Sequence, residues 1–131
     1  MQRFLLDTDT VSFALRGHGK VAGRIAQYPP SRLCVSAVSV AELLYGAEKR
    51  KSNKLRLLIE RFMEEVIVVP FDSEAAGRYA WLASLLASRG TPIGPFDTLT
   101  GAHALALGMT LVTNNAKHFQ RIPGLKTVNW V

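Results

Sequence analysis

Short apolar runs alternate with longer amphipathic stretches along the whole chain. Arg3-Phe4-Leu5-Leu6 is closed by Asp7-Thr8-Asp9-Thr10, which predicts a buried strand followed at once by a helix cap. That helix continues through Val11–Leu15 and breaks at Gly17-His18-Gly19. Val21, Ile25 and Tyr28 have helical spacing, and Pro29-Pro30-Ser31 ends the stretch. Leu33–Val35 reads as a second strand. A helix over Val38–Lys51 puts Leu43, Leu44 and Ala47 on its apolar side, with Lys49-Arg50-Lys51 complementing its last turn. Ser52-Asn53 opens an amphipathic helix carrying Leu55, Leu58, Ile59 and Phe62. Val66–Val69 is continuous and β-branched, the clearest strand of all. Asp72-Ser73 caps a long helix that reaches Arg89 and stops at Gly90 and Pro92. Residues 97–107 read as helix ending at Gly108, Leu111–Thr113 as strand, and 114–120 as a turn and short helix. Lys126–Trp130 alternates like an edge strand.

Strands alternating with helices predict an α/β fold: a mostly parallel sheet of four to five strands with helices on both faces. No linker, repeat or low-complexity tract divides the chain, so one domain over residues 1–131 is expected. Hydrophobic residues make up 48% and charged residues 20%, enough core material to exclude a disordered tail. The lone Cys34 excludes an internal disulfide and a Cys-based zinc cluster. No apolar run approaches the roughly 18–20 residues of a membrane span, so a soluble, cytoplasmic protein with no membrane partner is expected.

Charge changes this picture more than composition does. Sixteen Lys and Arg outweigh ten Asp and Glu, a net +6 that favours polyanions such as nucleic acid. The last acid in the chain is Asp97, so acids are scarce and their positions informative.

Open α/β sheets bind ligands beyond the carboxyl ends of their strands. Asp7 directly follows the first strand. Glu42 lies early in the helix after the second. Asp97 follows the Pro92-Ile93-Gly94-Pro95 turn, and Thr113-Asn114-Asn115 follows the fourth strand. Glu42 sits among Val40, Ala41, Leu43 and Leu44, and Val38, Tyr45 and Gly46 offer it no basic partner one turn away. A buried, unpaired carboxylate is costly. Each acid has a plainer reading: Glu42 as a half-exposed residue near a helix start, Asp7 or Asp97 as a cap, Asp9 as first-turn decoration. Taken together, three carboxylates facing one sheet edge repel one another unless a cation sits between them. Oxygen-only ligands suit Mg²⁺ or Mn²⁺, and such a site polarises a phosphate. An acidic pocket on a basic chain points to a metal-dependent nuclease.

The stretches Phe4–Asp9, Ser36–Gly46, Gly90–Asp97, Ala102-His103-Ala104 and Leu111–Asn115, then Phe119 and Pro123-Gly124-Leu125, resemble the PIN-domain ribonucleases of the VapC toxin type. The resemblance runs from the first strand to the last. It implies a three-layer α/β/α fold and an Mg²⁺ site, with Mn²⁺ as substitute, built from Asp7, Glu42 and Asp97. Thr8, Ser39 and Thr113 are expected to orient those carboxylates. A fourth acid of the family falls on Asn115, or in a close branch on His118, so both stand where an acid is expected. That departure bears on a second metal ion more than on activity. Asn115 is expected to act through its amide. The implied activity is a toxin endoribonuclease that cuts structured RNA, such as a tRNA anticodon region or an rRNA loop. The implied partners are a VapB-type antitoxin, a second copy of the chain, higher hetero-oligomers, and operator DNA for the complex. The helices carrying Leu55, Leu58 and Phe62 are candidates for these interfaces.

The alternative reading is a catalytically impaired PIN-like module that binds RNA or protein. A DNA-directed or phosphatase-like metallo-hydrolase is a third. A Rossmann oxidoreductase is disfavoured, since no Gly-x-Gly-x-x-Gly follows the first strand. Tyr45, Phe96 and Trp130 are candidate base-stacking platforms, with core or edge packing the stronger expectation for each. His103 and Cys34 are expected to be buried structural residues, and His18 to be solvated.

Overall fold

Five strands lie side by side in a computed structural model that describes residues 2–131. They are β1 (Phe4–Leu6), β2 (Leu33–Ser36), β3 (Ile67–Val69), β4 (Thr110–Val112) and β5 (Thr127–Val128), in the order β3-β2-β1-β4-β5. Every neighbouring pair is parallel. Seven α-helices connect them: α1 (Thr8–Leu15), α2 (Val21–Ala26), α3 (Ala37–Arg50), α4 (Asn53–Glu65), α5 (Ser73–Ser88), α6 (Pro95–Leu107) and α7 (Ala116–Phe119).

Successive side chains on a strand point to opposite faces, and the sheet uses both. Phe4, Leu6, Leu33, Val35 and Val112 pack on one side against Val40 and Leu43 of α3 and Ile59 and Phe62 of α4. Leu5, Cys34 and Leu111 face the other side and meet Leu82 and Leu86 of α5, Ala102 and Ala104 of α6, and Phe119. The three-layer α/β/α arrangement expected from the alternation is the one observed.

The differences from expectation have local causes. Val66–Val69 reads as the clearest strand, yet β3 is an edge strand and Ile67 is exposed, because β-branching reports a pleated surface and not burial. Helix α6 begins at Pro95, two residues before Asp97, with Gly94 at φ +95° as the residue before it. A proline with its fixed φ starts a helix well. Asp97 is therefore in the first turn and is not the cap. Thr113 lies just past β4, on the loop.

Trp130 is buried and stacks on Tyr28 at 5.3 Å, which accords with the packing expectation. Tyr45 and Phe96 depart from it, being 66% and 50% exposed. Cys34 is buried and His18 exposed, as expected. No helix among the described residues is long and apolar enough to cross a membrane.

Candidate active site

Register brings the acids together. The amide of Asp7 donates to the Val112 carbonyl at 3.1 Å, which fixes Asp7 at the carboxyl end of β1 beside β4. Its Oδ1 accepts from the Thr10 amide at 2.8 Å, so Asp7 also caps α1. Asp7 is only 6% exposed. Burial pushes its carboxyl above the ordinary 3.8, hydrogen bonding from Thr113 and Thr10 pulls it back, and the Asp9 charge pushes it up again.

Glu42 lies on α3, half-buried, and its Oε1 accepts from the Thr8 hydroxyl at 2.7 Å. Burial raises its carboxyl above 4.5, the Thr8 bond lowers it, and Asp97, Asp9 and Asp7 each raise it further. Glu42 thus feels the negative field of three aspartates from two other elements. No Lys or Arg among the described residues forms an ion pair with Asp7, Glu42 or Asp97.

Asp97, in the first turn of α6, presents Oδ2 at 3.2 Å from Nδ1 of His118. The Asn115 side-chain amide stands 3.0 Å from the same nitrogen. The Asp97 contact needs a proton on Nδ1 and the contact to Asn115 Nδ2 needs a lone pair there, so the tautomer of His118 decides which of the two bonds forms. Of the two residues standing where an acid is expected, His118 contacts Asp97 and Asn115 contacts His118 in turn.

Thr8 bonds Glu42, and Thr113 acts on Asp7 while its hydroxyl accepts from the Asn115 amide at 3.0 Å. Ser39 differs: its hydroxyl is buried without a hydrogen-bond partner and holds no carboxylate. The sequence reading missed two contacts. One is Thr10, whose hydroxyl donates to the Val112 carbonyl at 3.0 Å and ties α1 to β4. The other is His118 as a partner of Asp97. A titratable residue on the short helix after β4 was the available signal.

Among the described residues, no group of three or more His, Cys, Asp or Glu side chains stands at metal-holding spacing. The donor chemistry nevertheless fits a hard divalent ion: three carboxylates from separate elements, two of them pushed toward protonation, with no Lys or Arg paired to them.

His103 lies behind the site. Its Nδ1 is 2.8 Å from the Ser36 hydroxyl, and Ser36 caps α3, so this bond joins the helix of Asp97 to the helix of Glu42. Nε2 is buried without a hydrogen-bond partner; the Pro70 carbonyl influences the ring without meeting hydrogen-bond geometry. Burial holds His103 below the ordinary 6.5, against Asp72 and the Pro70 carbonyl, which favour its charged form. The unfolded chain binds the proton that the folded chain resists. Stability from His103 is complete above about pH 6.5 and is lost as pH falls below it. His103→Gln is expected to flatten the fall in melting temperature between pH 7 and about pH 5 in metal-free buffer, read by calorimetry. Parallel profiles for the two proteins would remove His103 as the source.

A family model described as the PIN domain matches residues 4–125. The chain is 35% identical to the "tRNA(fMet)-specific endonuclease VapC" of Salmonella typhimurium over 131 residues, 99% of each chain. It is 32% identical to "Ribonuclease VapC2" of Haemophilus influenzae over the full length of both. Among solved structures, DNA-bound VapBC from Salmonella typhimurium superposes with a TM-score of 0.93 at 34% identity, over all of both chains. VapBC2 from Rickettsia felis, bound to a promoter DNA fragment, gives 0.91 at 29%, over 99% of this chain and 100% of that one. On these likenesses the chain belongs to the PIN-domain family, among the VapC ribonucleases.

Proposed function

We propose that this chain is the toxin of a toxin–antitoxin pair, a divalent-metal-dependent endoribonuclease whose residues 1–131 form one PIN domain. One observation carries the reading. Asp7, Glu42 and Asp97 come from three separate elements to one edge of the sheet, where Asp7 and Asp97 both push the Glu42 carboxyl up and no Lys or Arg among the described residues pairs with any of the three.

Asp7, Glu42 and Asp97 would hold the ion, Mg²⁺ first and Mn²⁺ as substitute. When bound, it supplies Lewis acidity, polarising a phosphoryl oxygen and making a water easier to deprotonate. The protein's own residues do the positioning. Thr8 fixes the Glu42 carboxylate, and the Thr10 amide with Thr113 fixes that of Asp7. His118 contacts one oxygen of Asp97 and leaves the other free of it, and Asn115 contacts His118 in turn. The surplus of basic residues draws in the polyanion.

The partner we propose is a VapB-type antitoxin, and the complex binds its own operator DNA. Solved relatives include VapBC complexes bound to DNA. A groove of about 400 Å³ between α1, α2 and α4 is lined by Leu15, Ile25, Leu58 and Phe62 and suits an amphipathic antitoxin helix. Homodimers and larger hetero-oligomers are part of the same reading, as is a cytoplasmic location.

The test is purified protein, free of antitoxin, incubated with total bacterial RNA plus Mg²⁺, Mn²⁺ or EDTA, beside Asp97→Asn. Discrete fragments that require both the metal and Asp97 are expected, and sequencing their ends names the substrate. Absence of cleavage with any metal, by a folded chain, would replace the nuclease with the binding-module reading suggested by Asn115 and His118.

A further inference from the structure

Two of the large aromatic side chains that the fold leaves exposed stand beside the acids. Tyr45 follows Glu42 by three residues on α3, and Phe96 precedes Asp97 on α6. An isolated exposed apolar residue is ordinary. A pair beside the same carboxylates is not isolated. The outer stripe of α3 continues the pattern, since Ala41, Tyr45 and Lys49 are all exposed and four residues apart. At 1.5 Å of rise per residue, Tyr45 lies about 4.5 Å and Lys49 about 10.5 Å along the helix from Glu42. Arg50 and Lys51 extend the positive charge at the same end.

We propose that Tyr45 and Phe96 are stacking platforms for unpaired RNA bases flanking the bond that is cut, and that Lys49 holds the backbone beyond Tyr45. This rests on the nuclease reading, in that Glu42 and Asp97 mark where the bond lies. Aromatic faces followed by a cation match single-stranded nucleic acid, where each base offers a free face and each nucleotide a phosphate. In a duplex the base faces are already stacked on one another, so these platforms select loops. The net charge of +6 suits the same polyanion. The third exposed aromatic, Trp81, is on α5, away from this stripe, and takes no part.

The experiment uses the full chain with a labelled RNA hairpin carrying an unpaired loop, and a fully paired RNA as control. Binding is read by anisotropy in EDTA, and cleavage by kcat and KM with Mg²⁺ or Mn²⁺. Tyr45→Ala and Phe96→Ala are each expected to weaken loop binding about tenfold, or about 1.4 kcal/mol, and to leave duplex binding unchanged. KM should rise by a similar factor while kcat stays within about twofold. Tyr45→Trp should restore binding. Lys49→Ala should weaken both RNAs alike and reduce the salt dependence by about one ion. Loop binding unchanged in folded Tyr45→Ala and Phe96→Ala overturns the proposal and assigns these side chains to a protein surface. The two readings fail separately. A wild-type chain that never cuts, yet loses loop binding in the alanine variants, ends the nuclease reading and keeps the platforms. A wild-type chain that cuts, with variants that bind normally, does the reverse.

Discussion

Asp7→Asn is expected to lower RNA cleavage by about three orders of magnitude and to leave the metal-free fold at least as stable as before. The two halves of that result have different causes. Asparagine caps a helix about as well as aspartate, and its side-chain oxygen still accepts from the Thr10 amide, so α1 keeps its start. The lost negative charge is what a divalent ion needs. A contribution of about 4 kcal/mol from that charge corresponds to about a thousandfold in rate. Stability moves the other way, because burial already disfavours the Asp7 carboxylate. With its pKa raised, Asp7 favours folding while protonated, and that contribution is lost as pH rises through the raised value. The variant does not titrate, so its melting temperature in EDTA should exceed wild type most at neutral pH. Calorimetry reads the second half, cleavage and growth arrest the first. Growth arrest that persists in Asp7→Asn would reduce Asp7 to a cap.

The same residue shows what was legible in advance. The position of Asp7 after an apolar run located it at the end of a strand, and its cap reading is realised in the bond from the Thr10 amide. Glu42 was legible through an absence, since no basic residue lay within a helical turn of it. The sheet was legible because strands and helices alternate. Its order was not, since nothing local in Val66–Val69 says that β3 is an edge while Phe4–Leu6 lies at the centre. Side-chain pairings across the fold were harder still. Ser39 and Ser36 are close in sequence and chemically alike. Ser36 meets His103, 67 positions away, whereas the Ser39 hydroxyl has no hydrogen-bond partner. His118 illustrates the same difficulty: at the level of residue type it is a missing acid, and in space it is a side chain in contact with Asp97. Exposure is the third thing that residue type hides. Trp130 is packed and Tyr45 is not, although both are aromatics among apolar neighbours.

Phe119→Ala is expected to cost about 3–5 kcal/mol of folding stability, a large share of the roughly 5–15 kcal/mol that holds a domain of this kind together. Phe119 is 1% exposed and closes the second core, beside Ile122 and α6. The fit there is tight: a Cβ on Gly101 of α6 would collide with Ile122 Cδ1 and touch the Phe119 ring at 3.6 Å. Glycine at 101 makes room for Ile122, and the Phe119 ring packs alongside in van der Waals contact. A urea titration measures the loss, with an unchanged slope marking it as a change in stability. A loss below about 1 kcal/mol would mean that α7 is not part of the cooperative core. The effect also reaches the site. His118 precedes Phe119 on a helix of a single turn, so the ring anchors the histidine that holds Asp97. Phe119→Leu keeps much of the buried volume and should lose less stability. At temperatures where both variants are folded, the alanine form should show the greater loss of cleavage, because the carboxylates can hold an ion only as firmly as the packing behind them holds their helices.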